Sequence, residues 1–332
     1  MEGRRVLHIP ISSNGRFFSP APLKKRILVT GGAGFVGSHL IDRLLVKGHS
    51  VVCLDNYFTG RKENLRQWQG TASLEIIRHD VVDPILVEVD EIYHLACPAS
   101  PGHYQSNAIK TLKTSFLGTF NMLGLAKRVK AKLLFSSTSE VYGDPDQHPQ
   151  VEEYNGNVSC TGIRACYDEG KRCAEALAYS YMRQDKVRIS VARIFNTYGP
   201  RMRLSDGRIV SNFAAQALAG RGLTIFGSGE ATRSFQYIQD LTSGLLRLME
   251  SSYSSPVNIG NPQEISVKSF STLVLQLVDE FGNIERLDFQ ASVSDDPSRR
   301  KPDISKAREQ LGWYPMWSLF DGLTETIFYL RT

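Results

Sequence analysis

The chain has 332 residues, 42% hydrophobic and 22% charged, with 39 Lys and Arg against 34 Asp and Glu. This is ordinary globular usage, long enough for about two domains, and it excludes a disordered chain. A net charge of +5 without a basic, aromatic-interleaved stripe argues against a nucleic-acid partner, and no apolar run approaches the roughly 18 residues of a membrane span. Cys53, Cys97, Cys160, Cys166 and Cys173 form no C-x-x-C pair. Neither a zinc site nor a disulfide framework is expected, and a reducing, cytoplasmic setting is.

Residues 1–23 read as a flexible leader that is not a signal peptide; removal of an upstream anchor would leave the Golgi lumen as the alternative location. RILVT, Arg26–Thr30, reads as a buried strand. Apolar residues at helical spacing follow from Val36 to Leu45, and Gly48 ends that helix. Ser50–Asp55, Leu74–His79, Glu91–Ala96 and Lys132–Ser137 read as further strands. Helices are expected over about Ala108–Val129 and Tyr167–Gln184, and a last strand over Val187–Phe195. This alternation predicts an α/β fold, a doubly wound parallel sheet of the Rossmann type. Residues 24–195 are expected to form a dinucleotide-binding domain, with a returning segment near 236–260. Residues 196–235 and 261–332, rich in Gly, Asn and Pro loops, are expected to form a smaller substrate-binding lobe.

Gly31–Gly37, GGAGFVG, reads as G-x-G-x-x-G or as G-x-x-G-x-x-G between a strand and a helix. Glycines there let backbone amides approach a pyrophosphate at a helix amino terminus. Asp55 closes the second strand, where a carboxylate bonds ribose hydroxyls and repels a 2′-phosphate, so NAD is favoured over NADP; Arg61 and Lys62 argue the other way. Asp80 suits either the adenine edge or a strand-end cap. Tyr167 and Lys171 form Y-x-x-x-K on one helix face, where the ammonium and a nicotinium charge are expected to lower the phenol's pKa so that it can act as a base. Thr138 is expected to hold the reacting oxygen and Glu140 to bring a carboxylate to the same pocket. Turn formation is the preferred reading for Ser136 and Ser137.

Together these motifs resemble the extended short-chain dehydrogenase/reductases that act on nucleotide sugars. DNYFTGRKEN, HDVVDP, IYHLACPASP, CYDEGKR, ARIFNTYGPRM, TRSFQY and RRKPDI are similar to the UDP-glucuronic acid decarboxylase family, from about Lys25 to the carboxyl end. The resemblance implies oxidation of the sugar at carbon 4 by NAD, loss of carbon dioxide and re-reduction to UDP-xylose. It assigns Tyr167, Lys171, Thr138, Ser139, Glu140 and Arg300 to catalysis. It assigns Gly31, Gly34, Phe35, Val36, Gly37, Asp55, Asn56, Phe58, Thr59, Gly60, Asp80, Val81, Leu95 and Lys171 to the cofactor. Asn196, Arg208, Arg233, Tyr237 and Arg300 are assigned to the UDP-sugar. Glu140 either destabilises the substrate carboxylate or relays a proton to carbon 5. Sugar-nucleotide 4,6-dehydratases place Asp-Glu after the Thr, where this chain has Ser139-Glu140. The resemblance also implies a homodimer through helices near 108–129 and 167–184, with Phe116, Phe120 and Tyr181 serving either that seam or the core. Departures from the family pattern fall at Ala108, Ser115, Asn155 and Ser159–Gly162. Alternatives are a UDP-apiose/xylose synthase, a decarboxylase that releases the 4-keto pentose, or a catalytically silent nucleotide-sugar-binding protein. No metal is expected.

Overall fold

The computed structural model describes residues 23–278, 287–291 and 300–331, so most of the leader expected over 1–23, and Arg299, lie outside the described residues. Its large sheet contains β1 (Arg26–Thr30), β2 (Ser50–Asp55), β3 (Leu74–Arg78), β4 (Glu91–His94), β5 (Lys132–Thr138), β6 (Ile189–Ile194) and β7 (Val257–Ile259). All pair in parallel, in the order β7-β6-β5-β4-β1-β2-β3. Order reverses between β1 and β4, so a crevice opens at their carboxyl ends.

The strands are buried on both faces and their side chains sort by period two. Ile27, Val29, Val51 and Cys53 join one core, beneath α1 (Phe35–Val46). Leu28, Val52, Leu54, Leu133 and Phe135 join the other, against α2 (Thr119–Val129) and α3 (Ala165–Asp185). α4 (Ile238–Glu250) lies beside α1, presenting Ile238, Leu241, Leu245 and Leu248 to the first core at helical spacing. The expected helix over 108–129 is interrupted: Ala108–Lys113 runs through a π-helical turn at Thr114–Gly118 into α2. Outside the large sheet, Thr197–Tyr198 pairs with Gln236–Tyr237, Leu223–Phe226 with Leu287–Gln290, and Thr232–Ser234 with Glu264–Ser266.

Two boundaries differ from expectation for local reasons. β4 stops at His94, where the Leu95 N–H is shared between the Thr30 carbonyl, at 3.3 Å, and the Thr30 hydroxyl, at 3.1 Å, and the Ala96 N–H turns to that hydroxyl at 3.2 Å. β5 continues one residue past the expected Ser137, through Thr138, and the Ser136 and Ser137 hydroxyls form no turn. The Ser136 hydroxyl donates to the His94 carbonyl at 2.9 Å, and Ser137 donates to Glu175.

Glu175 fastens α3 to the sheet. It accepts from Arg193 of β6, through Nε at 3.1 Å and Nη2 at 2.8 Å, and Arg193 donates onward to the Tyr142 hydroxyl at 3.0 Å. Burial acts against the guanidinium, but the Glu175 carboxylate outweighs it and holds the Arg193 pKa above its usual value. Glu175→Gln would strand that charge in the core. A loss of about 3–5 kcal/mol is expected. A fall in Tm of roughly 5–10 °C in a thermal melt checks it.

Candidate active site

A cavity of about 810 Å³ opens over the carboxyl ends of β1, β4 and β5. Its first wall is the glycine turn after β1. Gly31 has φ +68°, and a Cβ there would stand 3.0 Å from the Ala96 backbone, across the crevice between β1 and β4. A Cβ at Gly37 would meet the Gly31 carbonyl at 2.2 Å, so α1 rests directly on the turn. Gly34 caps α1 without a side chain, which leaves the first helical N–H groups, at Phe35 and Val36 on the cavity wall, for an anion. Asp55 fixes the cradle. Its carboxylate accepts from the N–H of Ala33 at 3.0 Å and of Tyr57 at 2.8 Å, and burial raises its pKa against those two bonds. A dinucleotide fits this donor set. Gly37→Ala is expected to push α1 off the turn and weaken NAD binding at least tenfold, read by calorimetric titration of the cofactor.

His94, which sequence reading passed over, ties the crevice together. Thr30 Oγ1 accepts from two backbone amides, so its proton points to His94 Nδ1 at 2.8 Å, and Nε2 then donates to Thr119 Oγ1 at 3.1 Å. Burial, then Lys171, pushes this imidazole down to about 3, keeping it neutral.

Tyr167, Lys171 and Thr138 line the same cavity. In the protein alone, burial dominates their electrostatics. Lys171 Nζ donates to the Ser136 carbonyl at 2.6 Å, lies 6.0 Å from the centre of the Tyr167 ring, and is itself lowered by burial. The phenol stands above its ordinary value, raised first by burial and then by Cys97, while Thr138 and Arg208 pull it back. Tyr104 stacks on the Tyr167 ring at 5.1 Å and 7°, which fixes the ring plane. The Tyr104 hydroxyl is buried without a hydrogen-bond partner among the described residues.

Glu140 lies two residues beyond Thr138, at the start of the short helix after β5. Arg300 binds its carboxylate through Nη1 and, at 2.5 Å, Nη2, and Arg164 binds it through its own Nη2. All three line the cavity. Burial lowers Arg300 to about 10, which leaves it charged at neutral pH. The cavity therefore has an alcohol-handling group of side chains and, beside it, a carboxylate between two guanidiniums.

The family model described as GDP-mannose 4,6 dehydratase matches residues 28–326. UDP-glucuronic acid decarboxylase 1 of Xenopus tropicalis is 60% identical over 308 residues, 93% of this chain and 72% of that protein. UDP-glucuronic acid decarboxylase 3 of Arabidopsis thaliana is 55% identical over 324 residues, 94% of each. The chain belongs to the UDP-glucuronic acid decarboxylase family. Among solved structures, a UDP-glucuronic acid 4-epimerase mutant of Bacillus cereus, in complex with UDP-4-deoxy-4-fluoro-glucuronic acid and NAD, is 28% identical with a TM-score of 0.82, covering 92% of this chain and 99% of its own. A dTDP-glucose 4,6-dehydratase of Streptomyces venezuelae with NAD bound is 25% identical with a TM-score of 0.83, covering 92% and 97%.

Most residues singled out from the family resemblance meet at this cavity. Ser139, Asn56, Phe58, Thr59, Val81, Leu95, Asn196, Arg208 and Arg233 all reach its wall. Arg208 is braced there by Asp206, which outweighs burial and raises its pKa. Three residues stand off the wall. Gly60 backs onto Asp55, where a Cβ would meet the carboxylate at 2.8 Å. Asp80 is engaged by Lys110 and, at 2.9 Å, by Asn56. Tyr237 packs against Trp317 at 4.5 Å and Tyr198 at 5.7 Å. Arg164 and Tyr104 were missed. Arg164 lies three residues before Tyr167, a spacing that puts both on one side of a helix start, and that was the available signal. Tyr104 sits in a six-residue helix, Pro101–Ser106, with no periodicity to mark it.

Proposed function

We propose that the protein converts UDP-glucuronic acid to UDP-xylose and carbon dioxide, with NAD recycled within each turnover. The observation that carries this reading is Glu140 held by Arg300 and Arg164 on the wall that Tyr167, Lys171 and Thr138 share. The first group suits a sugar acid and the second the oxidation of a secondary alcohol. Gly31–Gly37, Asp55 and Lys171 would hold NAD, which would supply reversible hydride acceptance next to carbon 4.

Tyr167 takes the proton of the carbon 4 hydroxyl while Thr138 holds that oxygen. A ketone at carbon 4 makes the carboxylate on carbon 5 a β-keto acid. Its bond to carbon 5 breaks, carbon dioxide leaves, and the electron pair delocalises onto the carbon 4 oxygen. That oxygen lies where Thr138 and Tyr167 donate hydrogen bonds, so the developing enolate is stabilised. Carbon 5 then takes a proton that comes from solvent, the one proton the overall decarboxylation consumes, and reduction at carbon 4 with proton return from Tyr167 gives the pentose. Arg300 grips the substrate carboxylate through its planar fork, and Asn196, Arg208 and Arg233 hold the nucleotide diphosphate. Ser139, standing where a dehydratase carries an Asp, has no acid proton to expel a hydroxyl at carbon 6, which favours decarboxylation over dehydration.

Purified protein given UDP-glucuronate and NAD should release carbon dioxide, form UDP-xylose and accumulate no net NADH. NADH rising in step with carbon dioxide would mean release of the 4-keto pentose. No carbon dioxide would refute the reading.

A homodimer through α2 and α3 belongs to the same proposal. Ile109, Leu112, Phe116 and Phe120 stand exposed along this side, and Phe120 meets Tyr181 edge-on at 6.3 Å. Light scattering would give the mass. Among the described residues, no helix is long and apolar enough to cross a membrane. A cytoplasmic setting is supported by five free cysteines.

A further inference from the structure

Off the cavity wall, beside Arg164, lies a second carboxylate that the proposed chemistry does not use. Asp168 follows Tyr167 in the first turn of α3 and is 6% exposed. Its Oδ1 is buried and has no hydrogen-bond partner among the described residues. Its Oδ2 lies 3.8 Å from Arg164 Nε, beyond hydrogen-bonding distance, while Nη2 of the same guanidinium is on Glu140. One cation therefore spans two anions, bound to one and just short of the other. A buried carboxylate oxygen without a donor is costly, and here burial has raised the Asp168 pKa to about 6.

Glu140 is saturated by three guanidinium bonds. The cluster of Arg164, Arg300, Glu140 and Asp168 carries two positive and two negative groups. A uronate carboxylate entering it needs a guanidinium that Glu140 now holds. We propose that Asp168 is the second seat of Arg164, the positioning residue that receives this guanidinium when a substrate carboxylate displaces it from Glu140. The inference rests on the sugar-acid reading above. A shift of about 1 Å closes the Arg164–Asp168 gap to the length of a charge-assisted hydrogen bond. The Asp168 carboxylate then gains the donor it lacks, and the substrate carboxylate takes the place Arg164 has left, sharing the Arg300 fork with Glu140. Asp168 touches no substrate atom in this scheme. It acts through Arg164.

The test compares binding of UDP-glucuronate with that of UDP-glucose, which has the same ring and no carboxylate, in the NAD-loaded protein. Asp168→Asn is expected to weaken UDP-glucuronate about tenfold and leave UDP-glucose unchanged. In an Arg164→Gln background the same substitution should add nothing, since the seat is then without its guest. A crystal structure of the wild type with UDP-glucuronate should show Arg164 bonded to Asp168, a reading that does not depend on any variant folding. Equal losses for both sugars, an unchanged preference in D168N, an additive effect with R164Q, or Arg164 still seated on Glu140 in the complex would each overturn the inference alone. A wild type that binds both sugars equally would overturn the sugar-acid reading as well.

Discussion

Tyr167→Phe is expected to cut turnover of UDP-glucuronate by about 10²–10⁴-fold, the usual contribution of a positioned proton-transfer group, with NAD affinity unchanged. The substitution removes one oxygen and keeps the ring, so the parallel stack with Tyr104 survives. Neighbours cannot substitute. Lys171 is committed to the Ser136 carbonyl, and Thr138 has a hydroxyl that ionises far outside the working range. Burial holds the phenol above its ordinary pKa in the protein alone, so the phenolate is scarce at neutral pH and grows as pH rises. kcat/KM of the wild type should therefore climb with pH through the neutral range, and the residual activity of the variant should lose that climb. Steady-state rates from mildly acidic to alkaline pH check both parts. A variant with the wild-type slope would remove Tyr167 from the role of base.

What the sequence made legible follows from how local each signal is. β1, β2 and the glycine turn are local: a β-branched run, an abrupt glycine cluster, then helical spacing, and their bounds agree with Arg26–Thr30 and Ser50–Asp55. The end of β4 was less legible because Thr30, 66 positions before Ala96, draws the Ala96 amide onto its hydroxyl and shares that of Leu95. Ser136 and Ser137 were misread as turn formers for the same reason. Their hydroxyls are satisfied by His94 and Glu175, partners that only the folded sheet supplies. At the site, residue types were readable and pairings were not. Glu140 and Arg300, 160 positions apart, were each assigned to the carboxylate end from the family resemblance, yet nothing in the chain indicated that they bind each other. Tyr237 stands off the cavity wall, and an aromatic beside a functional-looking arginine reads the same whether it faces a ligand or the Trp317 ring.

Glu140→Gln is expected to separate oxidation from carbon–carbon cleavage, slowing carbon dioxide loss by about 10²–10³-fold while hydride transfer continues, the scale of a lost transition-state electrostatic contact. The amide fits the same space but carries no charge, so Arg300 and Arg164 face a neutral group in a largely buried wall; Glu140 itself is 13% exposed. The free protein should lose stability, because removing one member of a buried ion pair leaves uncompensated charge, about 3–5 kcal/mol in such cases. The uronate carboxylate can supply the missing anion. UDP-glucuronate should therefore raise the Tm of Glu140→Gln by more than it raises that of the wild type, and UDP-glucose should not. The same tighter grip works against the chemistry. The Arg300 guanidinium, no longer shared with Glu140, stabilises the carboxylate, whose charge must disperse as carbon dioxide departs, so the ground state gains more than the transition state and the barrier rises. NADH should then build up transiently after mixing, ahead of any carbon dioxide, because the 4-keto sugar waits for cleavage before it can be re-reduced. Rapid-mixing absorbance of NADH alongside a carbon dioxide assay resolves the order. Carbon dioxide release at the wild-type rate, with no NADH transient, would show that the carboxylate between the two arginines has no part in cleavage.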